Sequence, residues 1–570
     1  MSKSTFMDYR HFFRSLLLTG LIVVLFSGCK KNQQNENYTL LYNGSIYIDA
    51  DRKVNNLLLQ DGKVVALNVD AQKYNEAELI DLNGAAAYPG FNDSHVHLVA
   101  IALAMSVGVA LNGASTTSEI AGIVSEHCST LPAGIPAIAH GFVFDDYEAW
   151  SLTDLALIDE ATGDRPVLIA DQLGHSYIVN TAAMNLSGLS GNTPDPPGGR
   201  IVKQNGRPTG MLRETAGAIV GNIAIWPLIP DNMVKESASQ FFQMWASMGY
   251  TSVIELMGGP MGRILKPGLC RDLETEGRLP LRINYAHTFF SLDDIESYKD
   301  AGPNTELVHF AGLKLFVDGA AGNGDAWTSW ENSNGGHGLN AIATDDSYGK
   351  QYNIYRILKK SEELGLDMHY HTGGDLSIEA ILDAIEAVDQ KTGGIKTRHT
   401  LYHLGFVTDE QINRMSQLGD HIVAGVQPSL HWEYSKDITQ YFYGAHSQGS
   451  YPYEKMKDAG LTLAFSTDFA STPLNLCWPT MIMKTALTGA GDQASNPPLT
   501  MRDMIKGFTM GGFATTREEN VGTLDIGNKA DIVVFSNDLY SIPAEELSMD
   551  NPIVLATYIA GKIAYRAPPP

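Results

Sequence analysis

Two histidines one residue apart, His95 and His97, carry the sharpest chemical signal in the chain. They close the run Pro89-Gly90-Phe91-Asn92-Asp93-Ser94-His95-Val96-His97. Alternate side chains of a strand point to one face. Both imidazoles therefore converge on one point, as a metal ion requires of its ligands. Such a pair arises often by chance. Here a Pro-Gly step, an apolar residue and an acidic residue lead into it, directly after a stretch of short strand-like runs. A second signal is Lys314, set in Ala311-Gly312-Leu313-Lys314-Leu315-Phe316-Val317-Asp318-Gly319. An ammonium in the middle of an apolar strand is unfavourable unless it is paired or neutralised. The residues alone leave three outcomes open. Lys314 pairs with Asp318 or another acid, stands as a free amine beside one metal, or loses its proton and adds CO₂ to become a carbamate.

Three further positions end strand-like runs. His371 lies in Leu366-Asp367-Met368-His369-Tyr370-His371-Thr372-Gly373-Gly374-Asp375, just ahead of Ile378, Ile381, Leu382 and Ile385. That i, i+3, i+4, i+7 spacing predicts a helix. His371 is thereby placed at the C-terminal end of a strand, where barrel enzymes keep their catalytic residues. His369 shares its face, one layer deeper, as a barrel-interior residue. His403 closes Arg398-His399-Thr400-Leu401-Tyr402-His403. Asp468 follows the apolar run Leu461 to Phe465 as Ser466-Thr467-Asp468. An aspartate after a strand is often only a turn or cap, but this one is the well-placed candidate for a general base.

Taken together, these motifs resemble the amidohydrolase superfamily, whose members carry His-x-His at the end of the first barrel strand. More narrowly, the chain resembles amidohydrolase family 3, the branch that contains N-substituted formamide deformylases. The resemblance spans residues 38 to about 566. It includes the G-x-K-x-x-x-D-G setting of Lys314, the R-H-x-x-x-H of His399 and His403, and the Gly522 to Asp531 segment that returns the chain to a β unit. His371-Thr372-Gly373-Gly374-Asp375 departs from the family's H-A-x-G-D at its second and third positions. The resemblance implies that His95, His97, Lys314, His371, His403 and Asp468 hold two divalent metals, zinc by preference, bridged by carboxylated Lys314. It also implies that metal-activated hydroxide cleaves a non-peptide carbon–nitrogen bond of an amide, N-acyl or formamide substrate, with Asp468 moving the proton. Asp171-Gln172-Leu173-Gly174-His175 resembles a family D-x-x-x-H element, and Thr209 to Glu214 a G-x-L-x-E element. His175 and Glu214 are thus candidates for substrate contact, and Trp327 and Trp330 are aromatic candidates for the pocket wall. Two rival readings remain: a mononuclear, deaminase-like member, and an inactive lipid-anchored binding protein.

The elements that would position these residues are those of an α/β protein. We expect a (β/α)₈ TIM-like barrel over residues 90–520, with an insertion around 110–230. A small β-sandwich is expected from both termini, residues 38–89 and 521–566. Asn43-Gly44, Asp61-Gly62 and Gly561-Lys562 each sit between apolar runs and read as hairpin turns. Pro166 to Ala170, Ser252 to Leu256, Leu281 to Asn284, Gly312 to Val317, Ile422 to Val426 and Leu461 to Phe465 read as strands. With helical periodicity between them they imply a parallel sheet. Gly188 to Gly210 reads as a long loop. Composition agrees with a folded enzyme: 44% of the 570 residues are apolar and 18% charged. The formal charge of −24 disfavours nucleic acid as a partner and leaves a small-molecule substrate. Lys3, Arg10 and Arg14 precede the apolar run Leu16 to Phe26, which ends Phe26-Ser27-Gly28-Cys29. Residues 1–29 read as a lipoprotein signal with Cys29 lipidated, and 30–37 as a tether. The expectation is an exported bacterial lipoprotein held to the membrane by that anchor alone, facing the periplasm. Cys128, Cys270 and Cys477 match no redox or zinc spacing and read as small core residues.

Overall fold

The computed structural model describes residues 38–568, apart from 112–113, 143–148, 172–174, 258–266, 334 and 470. The signal segment with Cys29, the tether, and Gln172 to Gly174 lie outside the described residues. No described helix is long and apolar enough to cross a membrane. The chain opens with β1 (Tyr38–Tyr47), β2 (Lys53–Gln60), β3 (Lys63–Leu67), β4 (Glu78–Asp81) and β5 (Ala86–Pro89). Asp61 and Gly62, at φ 50° and 78°, turn β2 back onto β3, as a two-residue hairpin requires. Asn43-Gly44 does not make a turn. β1 runs through it and pairs with β2 on both sides, with the register shifting between Tyr42 and Ile46. Asn43 takes φ 58°, and a side chain on Gly44 would meet the Ala85 carbonyl at 2.4 Å. Asn-Gly here marks a bulge against a neighbouring strand.

β6 (Phe91–Val96) follows at once and begins the barrel. The chain then leaves to build an insertion of six strands: β7 (Gly108–Ala110), β8 (Ala137–Phe142), β9 (Val167–Asp171), β10 (Ser176–Val179), β11 (Gly199–Gln204) and β12 (Arg207–Glu214). They form one sheet in the order β11-β12-β10-β9-β8-β7. Its apolar core includes Ile120, Ile158, Ile169, Ile178 and Met211. The Gly/Pro-rich stretch read as a loop is a loop only to Gly198. Beyond it β11 and β12 form a hairpin across Asn205-Gly206, both in the left-handed region. The glycine-rich composition hid the apolar residues that the two strands bury, Ile201, Val202, Met211 and Leu212.

The barrel resumes with β13 (Tyr250–Met257), β14 (Arg282–Thr288), β15 (Val308–Phe316), β16 (Met368–Thr372), β17 (His399–His403), β18 (Ile422–Val426) and β19 (Thr462–Phe465). With β6 they make an eight-stranded, all-parallel sheet in which β6 flanks β13. The ring nearly closes: Ser94 Oγ donates to the Phe465 carbonyl of β19 at 3.0 Å. The periodic helix is present as Asp375–Thr392, with Ile378, Ile381, Leu382 and Ile385 all buried. The last strands, β20 (Ile532–Phe535), β21 (Val554–Ile559) and β22 (Lys562–Arg566), return to the first sheet. Its order is β22-β21-β20-β5-β1-β2-β3, with β4 against β1. Both ends of the chain thus share one sheet and one apolar core, with Leu41, Leu57 and Val64 beside Ile532 and Val534. Buried Arg282 of β14 ties the barrel to this sheet through Asp531 and Glu518. Cys270 and Cys477 are buried, Cys128 is half-buried, and all three are free.

Candidate metal centre

Alternation on β6 does what the His-x-His spacing promised. His95 Nε2 and His97 Nε2 lie 3.3 Å apart. Asp468 Oδ1 stands 3.3 Å from the first and 3.5 Å from the second. His97 Nδ1 is 3.1 Å from the Leu256 carbonyl. A carbonyl only accepts, so Nδ1 carries the proton and Nε2 presents a bare lone pair. Burial holds the His95 imidazole well below its ordinary value, with Lys314 and the neighbouring histidines adding to it. It is therefore neutral, the form that binds a metal.

Asp468 is delivered from the end of β19 by a strained turn, with φ 51°. Buried Asp93 holds that turn. One of its oxygens accepts from the Thr467 amide at 2.9 Å, the other from Thr467 Oγ1 at 2.7 Å and from Trp245 Nε1 at 2.9 Å. The Asp468 amide then donates to the His95 carbonyl at 2.9 Å, and the His97 amide to the Phe469 carbonyl at 3.0 Å. Burial raises Asp93 to about 6, against the donors that hold it ionised. His403 and Leu404 are likewise left-handed, at φ 76° and 52°. Backbone strain of this kind persists only where the surroundings enforce it.

His371 and His403 end adjacent strands, their rings 4.5 Å apart, and the His403 ring is 5.2 Å from that of His95. His95, His403 and Asp468 each place one ligand atom within 4.8 Å of the other two. Lys314 points into the same interior. It is fully buried, and its Nζ has no hydrogen-bond partner among the described residues. The expected alternative of an ion pair with Asp318 is not what the side chains do. Asp318 instead accepts from His371 Nδ1 at 2.9 Å and from the amides of Gly373, Gly374 and Trp327. That bond fixes the His371 tautomer and frees its Nε2. Burial drives the Lys314 amine down to about 7, with the Asp468 and Asp318 carboxylates opposing. A buried amine with no hydrogen-bond partner among the described residues, beside imidazoles and a carboxylate, fits a cation site: a metal, or a carbamate on the lysine, would supply what the amine lacks.

A pocket of roughly 460 Å³, part of it open to solvent, is lined by His371, His403, Asp468 and His175 among others. His175 follows β9 and its Nδ1 is 2.7 Å from Glu214 Oε2. Burial disfavours its charge, but Glu214 and Asp171 outweigh it and raise the imidazole to about 9. Trp327 is not among the pocket-lining residues; its contribution is the backbone amide on Asp318. Trp330 packs away, against Phe406 and His446. His369 and His399 are buried on tyrosine hydroxyls, those of Tyr402 and Tyr370.

Two residues of the site, His431 and Glu255, escaped the sequence reading, and two more, Asp93 and Asp318, were seen without their contacts. His431 lines the pocket, stacks on Tyr451 at 3.8 Å and lies 3.3 Å from His403 Nδ1. It sits in a π-helical turn, outside any strand-end pattern. Glu255 accepts from the Leu98 amide at 2.9 Å, and burial raises it to about 8. A glutamate inside the apolar run Ser252 to Leu256 was the available signal for it. Asp93 was visible only as an acid near the histidines, and Asp318 only as a partner for Lys314.

Comparison with known proteins finds one family along most of the chain. A family model described as "Amidohydrolase family" matches residues 78–565. The Bacillus subtilis (strain 168) protein YtcJ, named as an amidohydrolase, is 27% identical over 510 residues, covering 86% of this chain and 91% of that one. The N-substituted formamide deformylase of Arthrobacter pascens is 24% identical over 508 residues, covering 86% and 90%. An uncharacterized metal-dependent hydrolase from Pyrococcus horikoshii superposes with a TM-score of 0.69 at 22% identity, over 90% of this chain and all of that one, and so has the same fold. With a family match that runs from β4 to β22, the chain belongs to amidohydrolase family 3, a family of hydrolases.

Proposed function

We propose that this protein hydrolyses a non-peptide carbon–nitrogen bond of an amide, N-acyl or formamide substrate and depends on divalent metal, zinc by preference. The observation that carries the reading is the convergence of His95 Nε2, His97 Nε2 and Asp468 Oδ1 within 3.5 Å of one another. His95, His97, Asp468 and Lys314 would hold one ion, and Lys314, His371 and His403 a second. Bound metal supplies Lewis acidity and acidifies water. The chain supplies the rest. Lys314, unpartnered and with its amine drawn by burial down to about 7, has in its neutral form the lone pair that adds to CO₂, giving a carbamate and releasing one proton. Asp468 takes the proton of the attacking water and passes it to the departing nitrogen. Asp93 and the strained turn keep that carboxylate aimed, and Asp318 keeps His371 in one tautomer. The formamide deformylase relative supports a small acyl group on nitrogen. We also propose export and lipid attachment at Cys29, on the strength of the Phe26-Ser27-Gly28-Cys29 motif. Cys29→Ser is expected to move the protein from the membrane to the soluble fraction.

The test of the function is metal content by mass spectrometry on protein starting at Asn32, wild type and His95→Ala/His97→Ala, with a screen of N-acyl and N-formyl amines. Two ions per chain, lost in the double variant together with turnover, is the expected result. One ion per chain favours the mononuclear, deaminase-like reading. No metal after reconstitution with zinc and bicarbonate overturns the proposal in favour of a binding protein.

A further inference from the structure

The two histidines that follow from β6 are not held alike. His95 lies within the strand and is 2% exposed, so the sheet fixes its backbone. β6 ends at Val96, which pairs with Glu255 of β13, and His97 stands one residue beyond that last pair with a side chain 19% exposed. It is also the residue from which the helix Leu98–Ser106 starts: its carbonyl accepts the first helical bond, from the Ile101 amide at 3.1 Å. A residue in that place ordinarily turns a side-chain oxygen onto the free amides of the first turn. His97 has none to turn, and its ring Nδ1–H donates to the Leu256 carbonyl at 3.1 Å.

Glu255 takes over that task from the neighbouring strand. Ile254 and Leu256 share an apolar cluster with Ala286 and Tyr402. Alternation turns Glu255 to the other face of the sheet, where it is buried. Its Oε2 accepts from the Leu98 amide at 2.9 Å, and the Val99 amide also donates to its carboxylate. A carboxyl buried in a barrel strand is unfavourable without such donors. Two consecutive residues of β13 therefore hold His97 from two sides. Leu256 orients the ring through its carbonyl, and Glu255 fixes the peptide that leaves it. A third hold is the Phe469 carbonyl on the His97 amide at 3.0 Å. Of these three contacts, the one from Glu255 is made by a side chain and can be altered without touching the backbone.

We infer that Glu255 is the positioning residue of His97: it fixes the turn from β6 into the helix so that His97 Nε2 stays beside His95 Nε2 and Asp468 Oδ1. The inference rests on the reading of His97 as a metal ligand. The role needs an acceptor oxygen and no charge, because a carboxyl and a carboxamide both accept an amide hydrogen. Without that oxygen the Leu98 and Val99 amides are buried and unpaired. The turn then shifts to bring them to water and carries the His97 ring away from the centre.

The test is zinc retained per chain after dialysis against graded chelator, for wild type, Glu255→Leu, Glu255→Asp and Glu255→Gln. Thr116→Ala is the control, since it removes the cap of a helix in the insertion. Melting temperature, and hydrogen exchange over residues 97–101 of the metal-free protein, are recorded on the same samples. Glu255→Leu is expected to lower zinc affinity by about 10–100-fold, the usual effect of removing an outer support of a ligand, and to speed exchange in that segment. Glu255→Asp, whose acceptor is withdrawn by one methylene, falls between it and wild type. Glu255→Gln restores most of the affinity, and Thr116→Ala lowers the melting temperature with zinc unchanged. Wild-type zinc affinity in Glu255→Leu, or in Glu255→Asp if the leucine variant does not fold, overturns the inference and leaves Glu255 a helix cap alone. A loss in Glu255→Gln equal to that in Glu255→Leu also overturns it, because charge and not an acceptor would then be at work. Wild type that binds no zinc overturns the hydrolase reading instead; the hold on the turn then stands if Glu255→Leu and Glu255→Asp speed exchange over residues 97–101, and falls if they do not.

Discussion

Replacing Asp318 by asparagine tests how the second pair of histidines is held. Its carboxylate accepts from His371 Nδ1 at 2.9 Å on one oxygen, and from the Gly374 and Trp327 amides at 2.8 and 3.1 Å on the other. An asparagine has one acceptor oxygen. If it keeps the two amides, its NH₂ faces His371 and demands a lone pair on Nδ1. The proton then moves to Nε2, and His371 is lost as a ligand. If it turns the other way, two buried amides lose their acceptor, at about 1–3 kcal/mol each. The first arrangement is the less unfavourable. We therefore expect a folded protein with metal affinity reduced by about 10–100-fold, the usual effect of removing an outer partner of a ligand histidine. The assay is metal retained per chain after dialysis against graded chelator, read beside thermal unfolding of the metal-free protein. Unchanged retention in Asp318→Asn would show that His371 is not a ligand, and the tautomer argument would fall with it.

The metal-free protein should become more stable as pH rises from about 7 towards 10.5. The buried Lys314 amine is held at about 7 in the fold against 10.5 for the free side chain. Between these values the unfolded chain binds the extra proton, so the contribution is complete above 10.5 and disappears as pH falls through 7, with a slope of up to about 1.4 kcal/mol per pH unit. Lys314→Met should flatten that slope in a denaturant titration and abolish turnover; an unchanged slope would rule out a neutral amine. Thr467→Val removes a donor from Asp93 and an acceptor from the Phe469 amide. We expect a loss of about 1–3 kcal/mol and a fall in kcat larger than any change in KM, because Asp468 is aimed through this residue. Gly374→Ala would bring a methyl to 1.8 Å from the Trp327 carbonyl. We expect about 1–3 kcal/mol of destabilisation from overpacking, with metal loss in step, since the Gly374 and Trp327 amides both serve Asp318; a stable variant with full metal would contradict this.

Much of this candidate site was legible because its candidate ligands sit where strands end. His95 and His97 needed only the two-residue period of β6, and His371 only the helix that begins at Asp375. What could not be read was the arrangement around them. Nothing in the spacing says that Asp318 turns from Lys314 to His371, because that choice depends on which backbone amides β16 brings beside it. His431 lies in an irregular helical turn with no period to betray it. Trp327 looked like a pocket residue because tryptophans often are, but its backbone serves the site. In the fold, the Asn43-Gly44 bulge shows the limit of local signals. The same dipeptide that makes a hairpin elsewhere is overridden when a neighbouring strand offers pairing on both sides of it.

The sharing of one sheet by both ends of the chain also constrains how the molecule can be assembled. β5 pairs with β20 from Ala86–Phe535 to Pro89–Ile532, so the edge of β5 waits for nearly the whole polypeptide to be synthesised. Until then β1 to β5 present an open, apolar edge, which invites pairing with other chains. Contacts this distant in sequence also form slowly. A chain built this way gains from being kept unfolded until β20 is made, and truncations that remove β20 to β22 should yield aggregates rather than a shortened enzyme, although every candidate ligand of the centre lies upstream of them.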